Sequence, residues 1–268
     1  MAISLSACII CRNEAAKITH ALDSLAWCAD IVVVDSGSTD NTPAVAAGHP
    51  SRPRVIQQDW LGFNPQRQFA AGLCRNPWVL MLDADEECSP ELAVELQGLD
   101  DAALARTAIL KMPRKNYLAG RYVRCWSPDY QARLIHRERV DWNPRPLPEI
   151  RTPKAGFDEA RLRHALLHCR LCTANIADFT DAVKMAAYSE LLARDMQAKG
   201  KRATFANLLL RPPITFLKYY ILKGGFLDGR FGVAVAYKTT MGVMAKYGTL
   251  YGMEVAEAEP DESVKKEQ

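Results

Sequence analysis

A mostly parallel α/β sheet flanked by helices, with a helical, basic C-terminal extension, is the fold the sequence predicts. Three observations lead there. Short apolar runs recur at Ser4–Ile10, Ile31–Val34 and Trp78–Leu82, each too short for a globular helix and suited to a fully buried strand. Segments of helical spacing separate them, the pattern of right-handed βαβ units. Each run also ends in a polar cluster: Arg12-Asn13-Glu14, Asp35 through Asp40, and Asp83 through Glu87. Ligands of open α/β sheets bind at the carboxyl ends of the strands, so these clusters mark the functional edge.

In chain order, Ser4–Ile10 is a strand and Ala15–Trp27 a helix carrying Ile18, Leu22 and Leu25 on one face. Ile31–Val34 is a second strand, and Thr42-Pro43 an N-cap followed by proline at the first helical position. Arg54–Gln57 is a shorter strand, Gln66–Leu73 a helix bearing Arg67, and Trp78–Leu82 the strand that delivers Asp83 and Asp85. Ser89-Pro90 begins the next helix. Lys111–Ile150 reads as strands and turns, and Ala174–Lys199 as a helix.

Composition narrows the chemistry. With 49% hydrophobic and 24% charged residues, the 268-residue chain is globular. A net charge of +3 is too small to imply nucleic acid. No Gly-x-Gly-x-x-Gly follows the first strand, which argues against a dinucleotide fold, and no Gly-x-x-x-x-Gly-Lys-Ser/Thr occurs, which excludes a P-loop. What is left is a carboxylate-lined crevice. Two carboxylates one residue apart can hold a hard divalent cation that also takes substrate phosphates; the alternative is that Asp83 and Asp85 merely cap the following helix. Asp35, at its strand end, is expected to meet a ligand, and Asp40 to make a turn. Cys8/Cys11 and Cys169/Cys172 have Cys-x-x-Cys spacing, but alternation along a strand points Cys8 and Cys11 to opposite faces. Core thiols are therefore expected rather than zinc ligands.

Taken together, Ile9-Ile10-Cys11-Arg12-Asn13-Glu14, Ile31–Asp35 with Ser38-Thr39-Asp40-Asn41-Thr42, and Leu82-Asp83-Ala84-Asp85-Glu86 resemble glycosyltransferase family 2, inverting enzymes of GT-A fold that use nucleotide sugars. Lys115-Asn116-Tyr117, Gly120-Arg121, Trp126–Leu134 and His168 look like its branch that glucosylates the lipopolysaccharide inner core. The resemblance implies that Cys11 and Glu14 line a uridine pocket. It places Asp35 at the base or ribose, Arg67 near the uracil or diphosphate, and Asp83 at the ribose. Asp85 would ligate Mg²⁺ or Mn²⁺, with His168 completing the metal or diphosphate shell; periodicity alone reads His168 as a core histidine. Trp126 and Tyr130 offer flat faces for a sugar ring, or are core aromatics, and Asp129, Gln131 and Arg133 offer polar groups for the acceptor. Inversion needs one base at the acceptor hydroxyl, and Glu149 matches the family position, although Pro148 stands where the family has His. Asp129 and Asp141 are the rival carboxylates.

The expected organisation is a catalytic domain over residues 1–172 (nucleotide-sugar half to about 100), a helical extension over 173–252 and a disordered tail over 253–268. In the extension, Lys199, Lys201, Arg202, Arg211, Lys218, Lys223, Arg230, Lys238 and Lys246 are opposed by Asp228 alone through Gly252. Phe205, Leu208–Leu210, Phe216, Tyr219–Leu222 and Phe226-Leu227 interleave with them, a pattern suited to an anionic membrane surface or to a basic subdomain. No run spans a bilayer, and Met1–Leu5 lacks a signal-peptide pattern. The expected place is cytoplasmic and peripheral on the inner membrane, with a UDP-sugar donor and a lipid-linked saccharide acceptor. A sugar nucleotidyltransferase, which would release pyrophosphate instead of UDP, and a non-catalytic membrane-associated sugar-nucleotide binder are the alternative functions.

Overall fold

The computed structural model describes residues 2–142, 151–170 and 182–258. These fall into two units, one drawn from Met1–Tyr122 and Ser127–Ala174, the other from Val123–Trp126 and Asn175–Gln268.

The first unit is built on β1 (Leu5–Cys11), β2 (Ile31–Asp35), β3 (Arg54–Gln57) and β4 (Trp78–Asp83). They pair in parallel in the order β3-β2-β1-β4. The sheet then turns mixed: β8 (Asp129–His136) runs antiparallel to β4 and to β6 (Thr107–Leu118). β12 (Leu166–His168) pairs parallel with β6 and antiparallel with β5 (Glu86–Cys88). β7 (Arg121–Tyr122) and β11 (Asp158–Arg161) add to β6, and β9 (Val140–Trp142) pairs with β10 (Arg151–Pro153). The helices α1 (Ile18–Asp23), α2 (Thr42–Ala47), α3 (Phe63–Leu73) and α4 (Pro90–Gln97) flank this sheet. The expected α/β sheet flanked by helices is thus observed, its later half mixed rather than mostly parallel as the strand–helix rhythm of the early chain implies.

Strand alternation divides the core in two. Trp78, Leu80 and Leu82 join Ile18, Leu22 and Leu25 on one face, whereas Val79 and Met81 join Ala70, Ala71 and Cys74 on the other. Each of these larger side chains, fully buried, contributes about 1.5–3 kcal/mol, so the register of β4 is strongly determined. Cys8 and Cys11 fall in opposite clusters, and Cys28, Cys74, Cys88 and Cys125 are also buried, as expected of core thiols. Ser89 caps α4 by accepting from the Leu92 N–H at 3.2 Å, with Pro90 at its first position. Thr42 is not the cap of α2: Asn41 precedes the helix, and the Thr42 hydroxyl turns to Asp40 instead.

The second unit contains α5 (Ala182–Ala198), α6 (Phe205–Leu217), a π-helical turn at Lys218–Leu222, a 3-10 turn at Gly225–Asp228 and α7 (Gly229–Ala258). Ala193, Ala203, Tyr247 and Leu250 form its small core. The helix α7 continues to Ala258, past the expected start of the tail at 253, because Glu254 accepts from the Ala203 N–H at 2.9 Å and Glu257 from Gln197 at 2.6 Å. Among the described residues no helix is long and apolar enough to cross a membrane.

Candidate active site

The parallel register brings three strand ends level, with Cys11 opposite Asp35 and Ile10 opposite Asp83. Asp35 is fully buried there and shapes the loop beyond it. One oxygen accepts the N–H groups of Gly37 and Ser38 at 3.1 and 2.9 Å, the other accepts the Ser38 hydroxyl, and the Cys11 thiol lies 3.7 Å away. This turn requires a positive φ at position 37 (77°), which glycine adopts without strain. Burial beside Asp35 pushes the Cys11 thiol up, so it stays neutral.

The loop after β1 is tied to the loop after β2. Asn13, in the left-handed region at φ 56°, accepts the Thr39 N–H at 2.8 Å, while its own N–H donates to Ser38 at 2.9 Å. The Glu14 N–H donates to Thr42 Oγ1 at 2.8 Å, and the Glu14 carboxylate meets Lys17 at 3.0 Å. Asp40 accepts from the backbone of Thr42 and Ala15, a turn-making role as expected.

At the end of β4 the two aspartates part company. Asp83 is clamped between the guanidinium groups of Arg67 and Arg133. Burial alone would raise its carboxyl, but Arg133 and Arg67 outweigh that and hold it well below the usual range. Arg133 also donates to the fully buried Glu86 at 2.7 Å, and Arg114 reaches Glu86 at 2.9 Å and both oxygens of Asp129. Asp129 further accepts from Asn116 and Gln131. Burial would raise it as well, yet Arg114 and those amides depress it, which makes Asp129 a poor proton acceptor. Of the acceptor residues expected, Arg133 is therefore buried and engaged with Asp83 and Glu86, because the inward phase of β8 carries it under the sheet edge.

Asp85 is free of these guanidiniums and meets His168 instead, Oδ2 to Nε2, at 3.5 Å. His168 Nδ1 lies 2.9 Å from Asn116 Oδ1, whose amide nitrogen donates to Asp129. That amide orientation puts the imidazole proton on Nδ1 and leaves Nε2 directed at Asp85, the arrangement of a metal-binding histidine held by a hydrogen-bonded neighbour. Burial lowers the imidazole, but the Asp85 carboxylate overcomes it and raises the group; Asp85 in turn is depressed by His168 against its own burial. The donor set, one carboxylate oxygen and one imidazole nitrogen, fits a divalent cation.

Other sequence-predicted residues lie elsewhere. Trp126 belongs to the second unit, in a 3-10 turn, where its indole N–H donates to Thr239 at 2.8 Å. Tyr130, by alternation, is on the opposite sheet face from Asp129 and Gln131. It borders an open groove of about 770 Å³ with Tyr122, Lys115 and Arg163. Glu149 lies outside the described residues, and Asp141 is exposed on β9. Glu86, Arg114 and Asn116 were not among the expected site residues. The pairing of Arg114 with Asn116 at strand spacing, both polar on one face of β6, is the signal that could have found the last two.

Carboxylates gathered at the C-terminal edge of a mixed α/β sheet stand where enzymes of the α/β class bind their ligands. The chain belongs to glycosyl transferase family 2, whose model matches residues 6–161, more than half its length. It is 32% identical over 266 residues to the lipopolysaccharide core biosynthesis glycosyltransferase LpsC of Rhizobium meliloti (strain 1021), covering 91% of this chain and 93% of that protein. An uncharacterized glycosyltransferase of Rickettsia felis is 38% identical over 142 residues, 53% of this chain and 43% of that one. Residues 1–349 of TarS from S. aureus, solved with UDP, align at 16% identity and TM-score 0.47 over 92% and 91% of the two chains. The protein is a glycosyltransferase.

Proposed function

We propose that the enzyme transfers glucose from UDP-glucose to a saccharide of the lipopolysaccharide core, with inversion and with the help of Mg²⁺ or Mn²⁺. The observation that carries this reading is the Asp85–His168 pair, 3.5 Å apart at the strand edge and positioned by Asn116. The name of the Rhizobium relative, with which nearly the whole chain aligns, supports the acceptor class. Asp85 and His168 would hold the cation, and when bound it neutralises charge developing on the UDP leaving group. Asp35 and Cys11 bound the space for the base and ribose. Asp83, charge-balanced by Arg67 and Arg133, positions the donor rather than binding the cation. Glu149 takes the proton of the acceptor hydroxyl as the new glycosidic bond forms. A panel of UDP-, GDP- and CMP-sugars with Mn²⁺ tests the donor. UDP-glucose at about 100 times its dissociation constant should stabilise the fold by about 2.7 kcal/mol, read as a rise in melting temperature. Equal shifts with all nucleotides would refute the UDP assignment.

The second unit supports attachment to an anionic membrane surface, where a lipid-linked acceptor resides. No residue of α6 is buried, Leu222 is 82% exposed, and Leu209, Leu210, Ile214, Phe226 and Leu227 are exposed. Arg211, Lys218 and Lys223 lie among them, and each cation near anionic lipid contributes about 1 kcal/mol. The protein should pellet with phosphatidylglycerol-containing vesicles, and Leu222→Asp with Leu227→Asp should weaken this at least about tenfold. Pelleting unchanged by the double variant would exclude this face.

A further inference from the structure

The thiol of Cys169 meets the same carboxylate oxygen as His168. Its Sγ lies 3.5 Å from Asp85 Oδ2, His168 Nε2 lies 3.5 Å from that oxygen, and the three atoms fall within 4.8 Å of one another. Neighbouring residues of a strand point to opposite faces, but β12 ends at His168 and Cys169 adopts φ 56°. This left-handed turn brings its side chain back to the side of His168. The Cys169 N–H donates to the Asp85 carbonyl at 2.9 Å, pinning the turn to the residue whose carboxylate the thiol faces. Two ligands on one tetrahedral cation, at about 2.0 Å for nitrogen or oxygen and about 2.3 Å for sulfur, stand about 3.5 Å apart. The two separations from Asp85 Oδ2 match. Cys169 is also only half-buried, unlike the six thiols of the core. With Asp85 it borders a small surface opening alongside Lys17, His20 and Arg170, so an ion can reach it from solvent.

We propose that Cys169 is a third protein ligand to the cation and makes the site favour sulfur-accepting ions such as Co²⁺ and Zn²⁺ relative to Mg²⁺. The inference rests on the reading of Asp85 and His168 as cation ligands. On binding, the S–H bond breaks, its proton passes to solvent, and the sulfur electron pair forms the bond to the ion; no oxidant or reductant takes part. Thiolate ligation selects softer cations, whereas Mg²⁺ prefers oxygen.

The test is a titration of the full chain with Co²⁺ and UDP, following the sulfur-to-cobalt charge-transfer absorption and, separately, bound Co²⁺ by equilibrium dialysis. The native protein should develop the band in step with binding. Cys169→Ser should lose the band and bind Co²⁺ about tenfold or more weakly, with Mg²⁺ affinity changed by less than about threefold. Asp85→Asn should lose the band as well. Co²⁺ bound without the band, or a band surviving in Cys169→Ser, overturns the assignment of Cys169 while leaving the Asp85–His168 pair standing; a band surviving in Asp85→Asn overturns the three-ligand site by removing Asp85 from it. Absence of Co²⁺ binding to the native protein removes both.

Discussion

Replacing Asp85 with asparagine is expected to reduce sugar transfer by about 10³-fold or more while leaving the melting temperature within about 2 °C of the native value. Removing a single electrostatic contact at a developing charge costs about 10²–10³ in rate, and a cation contributes several kcal/mol at a leaving group. Asp83 cannot take over, since its carboxylate is already claimed by Arg67 and Arg133. The fold should tolerate the change because Asp85 is partly open to solvent and its side chain engages the half-buried His168 and Cys169, so the expected loss is within about 1 kcal/mol. Release of UDP, measured together with Mn²⁺ binding, checks this. Mn²⁺-dependent turnover retained by the variant would remove Asp85 from the centre of the reaction.

Replacement of Arg133 by methionine should act on the fold itself. Arg133 is 4% exposed and bridges Asp83 and the fully buried Glu86. Its loss leaves Asp83 with Arg67 and Glu86 with Arg114. Removing one partner of such a buried pair costs about 3–5 kcal/mol, to be measured by urea unfolding at neutral pH. The acid limb should move too. Because Asp83 is depressed in the folded state, it contributes stability that is fully present above the unfolded value of about 3.9 and disappears as pH falls through the lower folded value. With one guanidinium gone, the folded value rises toward the unfolded one, so this contribution is smaller and its loss is complete at higher pH than in the native protein. A loss below about 1 kcal/mol, with an unshifted acid limb, would mean that water and Arg67 compensate fully.

Parts of this site were legible in the chain and parts were not. Asp83 and Asp85 fall at a strand end, as an apolar run followed at once by acids predicts. Their different fates were not legible. Asp83 receives two guanidiniums from α3 and β8, 16 and 50 residues away, whereas Asp85 receives an imidazole from β12. Arg133 looks in sequence like an acceptor contact, since arginine is usually solvent-exposed; the buried carboxylate of Glu86 is what makes an inward arginine stable. Trp126 illustrates the same limit, its indole N–H satisfied by Thr239, 113 residues further on.

The sequence by itself determined the strands β1, β2 and β4, the carboxylates at their ends and the basic, apolar character of the C-terminal segment. These depend on local periodicity and on which residues can be buried. Only the tertiary structure decided which acid is neutralised by arginine and which meets an imidazole, and that Asn116 and Cys169 stand beside His168. Those outcomes depend on distance between charges, and folding brings together groups that the chain keeps far apart.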